Sequence, residues 1–238
     1  MRLKNNTFGT FPVTLHWPGD VKPWDELIDH FFSQPPQQIG HIADLTIYTW
    51  NNAPDECILE RSLDHLGIPY VVLGKLTDQW RNMLKIPLFA QALQNTRTKY
   101  VMALDGYDLI VIEDLHAAVQ RFAATGWKVS FNASRGRWGL PSSNSIEDVI
   151  YASQMLKHLN TGAMIGETEF CRDLFAIARD AIPIVRQAMR MLGEGKFQSS
   201  DQAVLRAIFP IFHPHIKLDH TCDIFQILDK TQDLSIVD

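Results

Sequence analysis

The sequence predicts an α/β fold, a mostly parallel central sheet flanked by helices, and three observations carry that expectation. Short runs rich in β-branched and aromatic residues alternate with stretches whose apolar residues recur at helical spacing. Turns bearing Asn, Asp, Gly and Pro punctuate the series. The 238 residues suffice for one large domain with a buried core, and the spacing of the elements leaves no room for a second. A single domain over residues 1–238 is expected.

Taken in order from the first clear element, Asp44 to Trp50 is β-branched and aromatic and ends at the turn Asn51-Asn52-Ala53-Pro54, which predicts a strand. Ile58, Leu59, Leu63 and Leu66 share one face of a helix over 55–66 that Gly67 closes. A strand over Tyr70–Leu73 and a helix over Trp80–Gln94 follow, with Pro87 expected to kink or restart the helix. Strand, helix, strand, helix is the order of a parallel sheet covered on both faces. The strand Tyr100–Leu104 runs into Asp105-Gly106-Tyr107-Asp108 and the apolar run Leu109–Ile112, before a helix over Leu115–Ala124 and a strand over Lys128–Asn132. Ser134–Ser145 reads as a long polar loop of the kind that often forms a lid or binding loop, and its Trp138 is unusual for a linker. Leu159–Gly166 reads as a short strand pair around a tight turn. Glu167–Leu192 reads as a helix broken near Pro183, Ser200–Phe209 as a helix, and Ile216–Leu218 as a strand.

Composition excludes several classes of function. Charged residues are 21% and hydrophobic residues 46%, the balance of a soluble globular enzyme. A net charge of -5 gives no support to a nucleic-acid partner, which needs clustered Lys and Arg. No run approaches the roughly 20 apolar residues of a membrane span, and the first residues carry no apolar signal segment. Three cysteines, Cys57, Cys171 and Cys222, fit neither a disulfide framework nor a zinc spacing, and read as buried thiols in a reducing, cytoplasmic compartment.

Two constellations carry chemistry. Asp105 and Asp108 follow an apolar strand, where open α/β sheets bind ligands beyond the carboxyl ends of their strands. Such oxygen ligands suit Mn²⁺ or Mg²⁺, although a pair of Asp residues in a turn also serves turn and capping chemistry. The second is His16-Trp17-Pro18-Gly19-Asp20-Val21-Lys22-Pro23-Trp24. It combines a metal-competent His, a Gly that permits close backbone approach and a Lys that can meet a phosphate; an ordinary surface turn is the alternative.

At these residues the chain resembles a known family. His16, Gly19, Lys22, Pro23 and Trp24 reproduce the His-x-x-Gly-x-x-Lys-Pro-Trp motif of the glycogenin-type retaining glycosyltransferases. The remainder is similar to the glycosyltransferase domain of procollagen lysyl hydroxylases. Val101–Asp108 resembles its Asp-x-x-Asp segment and Val129–Ala133 its following strand. Leu159-Asn160-Thr161-Gly162 with Ile165-Gly166, Ser200-Asp201-Gln202, and Leu218–Gln226 continue the match in order. The resemblance implies a GT-A, Rossmann-like nucleotide-diphospho-sugar transferase fold. In those families the His-x-x-Gly segment comes last, whereas here it opens the chain. A circular permutation is therefore expected, with 1–30 equivalent to the family's C-terminal segment and 41–238 to the rest. Leu234–Val237 should then lie beside the Arg2–Phe8 region.

The same resemblance implies residue roles. Asp105, Asp108 and His16 would hold Mn²⁺ (or Mg²⁺), with Asp105 also near the donor ribose. Thr49, Trp50 and Asn51 would receive the uracil of a UDP-sugar, Trp50 stacking on the base, and Tyr107 would contact the nucleotide. Gly19 and Lys22 would meet the diphosphate, Asn160 and Asp201 would face the transferred sugar or the acceptor, and Trp138 would shield the donor from water. Trp138 as loop packing and Asp201 as a helix N-terminal carboxylate are the structural alternatives. His220 is a second metal-ligand candidate, more readily read as ordering the Asp219 region. Arg81 and Lys85 are candidates for phosphate pairing or solvated helix charges. The expected activity is hexosyl transfer of glucose or galactose, leaning to retention, onto a glycan, a lipid-linked glycan or a protein. The acidic run of the hydroxylase-linked domains is reduced here to Ser200-Asp201, so collagen is not implied as acceptor. A nucleotidyltransferase or nucleotide-sugar hydrolase, and a non-catalytic nucleotide-sugar or glycan binding module, are the rival readings.

Overall fold

The computed structural model describes residues 2–19, 21–138, 146–228 and 233–237. Its strands are β1 (Arg2–Asn5), β2 (Thr14–His16), β3 (Leu45–Trp50), β4 (Val71–Leu73), β5 (Tyr100–Asp105), β6 (Leu109–Val111), β7 (Val129–Ser134), β8 (His158–Glu167), β9 (Ile216–Asp219), β10 (Phe225–Ile227) and β11 (Leu234–Val237). Its helices are α1 (Asp25–Ser33), α2 (Ile58–Leu66), α3 (Lys85–Leu93), α4 (His116–Thr125), α5 (Ile146–Ile150), α6 (Thr168–Met191) and α7 (Asp201–Phe212).

The central sheet has six strands in the order β4-β3-β5-β8-β7-β9. β8 pairs antiparallel with both neighbours and the other pairings are parallel, so β8 alone is reversed. This is the expected α/β arrangement, a mostly parallel sheet flanked by helices and compatible with a Rossmann-like fold. Alternation along the strands sends side chains into two cores. On β5, Val101 and Ala103 join the core beneath α3, α6 and α7, while Tyr100, Met102 and Leu104 join the core beneath α2 and α4. On β3 the same rule puts Tyr48 and Trp50 with the first core and Leu45 and Ile47 with the second.

A smaller sheet, β10-β2-β6, lies at the carboxyl edge of the central one; β2 runs parallel to β10 and antiparallel to β6. The two ends of the described chain meet in a third. β1 and β11 pair antiparallel, Arg2 opposite Val237 through Asn5 opposite Leu234, which brings together the segments expected to be adjacent. Among the described residues no helix is long and apolar enough to cross a membrane. None of the three cysteines is in a disulfide, and all are buried.

Several expectations change in detail. The expected strand pair at 159–166 is one continuous ten-residue strand, β8. It stays in register with β5 through Leu104↔Ala163, while on its β7 side the register jumps from Phe131↔Met164 to Asn132↔Asn160. Thr161, Gly162 and Ala163, at the expected turn, therefore bulge on the β7 side. The helix α6 runs through Pro183 without a break, because Leu174, Phe175 and Ala178 before it and Val185 and Met189 after it pack into one core. Helix α3 starts only at Lys85, which leaves Pro87 in its first turn, where a missing N–H costs little. The helix α2 starts at Ile58, later than expected, because the Cys57 N–H is capped by Glu60 Oε1 at 3.3 Å. The short helix α5 closes the expected loop, whose residues 139–145 lie outside the described ones.

Candidate metal centre

The sheet geometry itself brings three ligand-type side chains together. Antiparallel pairing of β2 with β6 sets His16 opposite Leu109, and the Trp17 N–H donates to the Asp108 carbonyl at 2.9 Å. His16 therefore arrives beside Asp108. Asp105 ends β5, and the turn to Asp108 is tight. A Cβ on Gly106 would lie 2.5 Å from the Trp50 carbonyl oxygen and 2.9 Å from Cys57 Sγ, so this position accepts only glycine. One ligand atom from each of His16, Asp105 and Asp108 lies within 4.8 Å of the others. His16 Nε2 stands 3.6 Å from Asp108 Oδ2, is buried and has no hydrogen-bond partner. A lone buried nitrogen facing two carboxylates fits a divalent cation. The donor set, imidazole plus carboxylates, suits Mn²⁺ and Mg²⁺.

Asp105 continues the Val101–Ala103 face of β5 and so meets α3 and α7. Lys85 Nζ lies 2.5 Å from Asp105 Oδ1 and 3.9 Å from Asp201 Oδ2, and 5.5 Å from the centre of the Trp50 ring. Burial would lower the pKa of Lys85, but Asp105 and Asp201 outweigh it and hold the ammonium well above its ordinary range. Burial, reinforced by Asp108, raises Asp105 despite Lys85. Burial also acts to raise Asp108, but His16, Lys85 and the Gly19 N–H prevail and hold it below the usual carboxylate range.

The triad opens on a cavity of about 700 Å³. Gly19, Asn160, Asp201 and Trp138 all line it, along with Lys85. Asn160 Oδ1 accepts from the Gly162 N–H at 2.9 Å. Asp201 opens α7, whose N-cap Ser200 accepts from the Ala203 N–H at 3.2 Å, so this carboxylate is both a helix N-terminal residue and part of the wall. Trp138 stands at the rim, 56% exposed, with its ring edge-on to Phe197. Its carbonyl accepts from Arg206 Nη1 at 2.8 Å and Gln202 Nε2 at 3.2 Å, while Arg137 pairs with Asp148 of α5 at 2.7 Å. The rim is thereby tied to two helices.

Other expected site residues fall elsewhere. Thr49, Trp50 and Asn51 are buried and do not line the cavity. Trp50 shares the inward face of Tyr48 and packs on Phe89, which leaves it no face for a base and corrects the stacking expectation. The Asn51 amide donates to the Asp55 carbonyl and to Glu60, and its Oδ1 accepts from the Tyr107 hydroxyl at 2.7 Å. The Tyr107 ring is 53% exposed beside the end of β3. Lys22 is exposed on the loop after Gly19. His220 is outside the triad; its Nδ1 lies 3.2 Å from the Leu218 carbonyl. Asp219 accepts the N–H groups of Asp223, Ile224 and Phe225, each at 2.8 Å, and orders that turn itself. Arg81 is exposed, whereas Lys85 is not a solvated charge at all. No protein-family model matches the chain, and no curated protein matches it.

Proposed function

We propose that the protein is a metal-dependent glycosyltransferase that moves a hexose, glucose or galactose, from a UDP-sugar to an acceptor with retention, on a circularly permuted GT-A fold. The observation that supports this reading most is the convergence of His16, from the start of the chain, with Asp105 and Asp108 at the mouth of a cavity large enough for a nucleotide-sugar. The β1–β11 ladder supports the permutation, since it sets the segment that precedes His16 beside the one that follows Gln226.

The cation, when bound to His16, Asp105 and Asp108, supplies Lewis-acid stabilisation of a leaving diphosphate. The chain's own residues do the rest. Lys85 compensates Asp105 and Asp201, so that carboxylates of one wall do not repel a diphosphate. Gly19, with φ +67 and no atom within 4 Å of an added Cβ, keeps the loop beside Asp108 clear of side-chain bulk where a phosphate would approach, and Lys22 follows on the same loop. Asp201 and Asn160 present oxygens to the hydroxyls of the transferred sugar and the acceptor. Trp138 covers the opening against water. Tyr107, not Trp50, offers the exposed aromatic face for the base.

The test is UDP release from UDP-glucose and UDP-galactose with Mn²⁺ and with chelator, in wild type and Asp108→Ala. Metal-dependent release lost in the variant is the expected result. Pyrophosphate or nucleoside monophosphate as product, or release indifferent to chelator, would overturn the reading.

A further inference from the structure

His16 sits in a slot with one partner that metal ligation does not by itself explain. The ring is 1% exposed. Gly162 lies against one edge, where any Cβ would stand 2.2 Å from His16 Cε1, and Asn132 Nδ2 lies 3.1 Å from Nδ1 on another. In this arrangement the Asn132 amide donates to Nδ1, so a neutral ring carries its proton on Nε2. That is the nitrogen facing Asp108. Two buried atoms are then left without hydrogen-bond partners, His16 Nε2 and Asn132 Oδ1, and Asn132 is wholly buried. Buried polar atoms in proteins are seldom unpaired, and an unpaired Nε2 beside Asp105 and Asp108 fits a cation at that nitrogen.

We propose that Asn132 is a positioning residue that sets the tautomer of His16: its amide donates to Nδ1 in the metal-free protein and, turned by half a rotation, accepts from Nδ1–H when a divalent cation binds Nε2. The inference rests on the metal reading above. A His that ligates through Nε2 must leave that nitrogen unprotonated, and its Nδ1–H then needs an acceptor. The two ends of an Asn amide have nearly the same shape and opposite hydrogen-bonding character, so a half-turn exchanges donor for acceptor with no backbone movement. One proton leaves Nε2 and one arrives at Nδ1, and the ring's proton count is unchanged. The cation then partners Nε2 and Nδ1–H partners Oδ1, while the amide nitrogen takes the place that Oδ1 held.

Three measurements test this. Mn²⁺ affinity is read by calorimetry for wild type, Asn132→Leu and Asn132→Asp. Imidazole ¹⁵N spectra of wild type, without metal and with diamagnetic Mg²⁺, report the tautomer. Asn132→Leu, which cannot accept, should weaken Mn²⁺ binding about 10–100-fold, the usual cost of losing an outer-shell partner. Asn132→Asp, which only accepts, should stay within a few-fold of wild type. The His16 proton should move from Nε2 to Nδ1 on adding Mg²⁺. Unchanged affinity in Asn132→Leu, equal losses in both variants, or a Mg²⁺-loaded ring without Nδ1–H would each overturn the inference while leaving the metal reading standing. A wild type that binds no Mn²⁺ would overturn both. The wild-type spectra decide the matter even where a variant does not fold.

Discussion

Replacing Gly162 by Ala puts the metal reading under direct mechanical load. The added methyl would lie 2.2 Å from Cε1 and 2.7 Å from Nε2 of His16, and 3.0 Å from Asn160 Oδ1. Carbon atoms rest at about 3.5 Å or more, so the imidazole must retreat by about 1.3 Å. Metal–ligand distances tolerate about 0.2 Å, and the ring cannot retreat that far and still coordinate. Mn²⁺ affinity should therefore fall about 100-fold or more, at the upper end of or beyond what losing an outer-shell partner costs. Overpacking of this kind costs about 1–3 kcal/mol, which for a chain of this size lowers Tm by about 2–4 °C per kcal/mol. Calorimetric Mn²⁺ titration with a thermal melt of the same sample measures both. Gly136→Ala is the control, since Gly136 lines the same cavity yet an added Cβ there meets no atom within 4 Å. A Gly162→Ala protein that binds Mn²⁺ like wild type at an unchanged Tm would refute the reasoning.

Two further outcomes follow from buried charges. Lys85→Met strips Asp105 and Asp201 of their shared cation, and should cost about 3–5 kcal/mol without metal and distinctly less with Mn²⁺, read as Tm under both conditions; an equal loss in both would count against a common counter-ion role. For Glu60, burial acts to raise the pKa, but the Asn51 amide, Cys57 and Lys75 outweigh it and the folded value lies below the ordinary one. A depressed carboxylate contributes stability that is complete above the unfolded value of about 4.3 and is lost as pH falls through the folded value. The stability gap between wild type and Glu60→Gln should therefore be widest near neutrality and close as pH drops below about 4, as urea unfolding across that range would show.

How far the sequence could be read depended on whether a residue's role was local. β3, α2, β5 and β7 carry their own periodicity and capping, and lie within a few residues of where the pattern puts them. Helix α1 had a usable signal that went unread: Pro23 before it, Asp25 and Glu26 in its first turn, Leu27 and Phe31 on its buried face. Asp105, Asp108 and His16 were legible as ligand types, but their meeting depends on the β2–β6 register, which no short-range pattern encodes. For Lys85, a candidate for phosphate pairing or a solvated charge, burial goes against the solvated alternative. Lys85 shares the apolar face of Phe89 and Leu93 at intervals of four, the sign of a charge carried inward to a partner. Trp50 was placed against a base although alternation from Tyr48 turns it toward α3. The Asn160-Thr161-Gly162 turn signal was real chemistry in a different place. Glycine was there to admit His16, from a segment remote in sequence, so the local reading as a hairpin had no means of anticipating it.

The ladder between β1 and β11 also bears on the order in which the molecule assembles. The residues it pairs lie far apart in sequence, Arg2 opposite Val237 and Asn5 opposite Leu234, and closing so long a loop costs more entropy than closing a short one. His16 ends β2, a strand held between β10 and β6, both remote from it in sequence. Two of the three ligands are set by the Asp105–Asp108 turn, but the third arrives only when β2, remote from that turn in sequence, has paired with β6. A cation site built from His16, Asp105 and Asp108 would therefore form late in assembly, once strands remote in sequence have found their register.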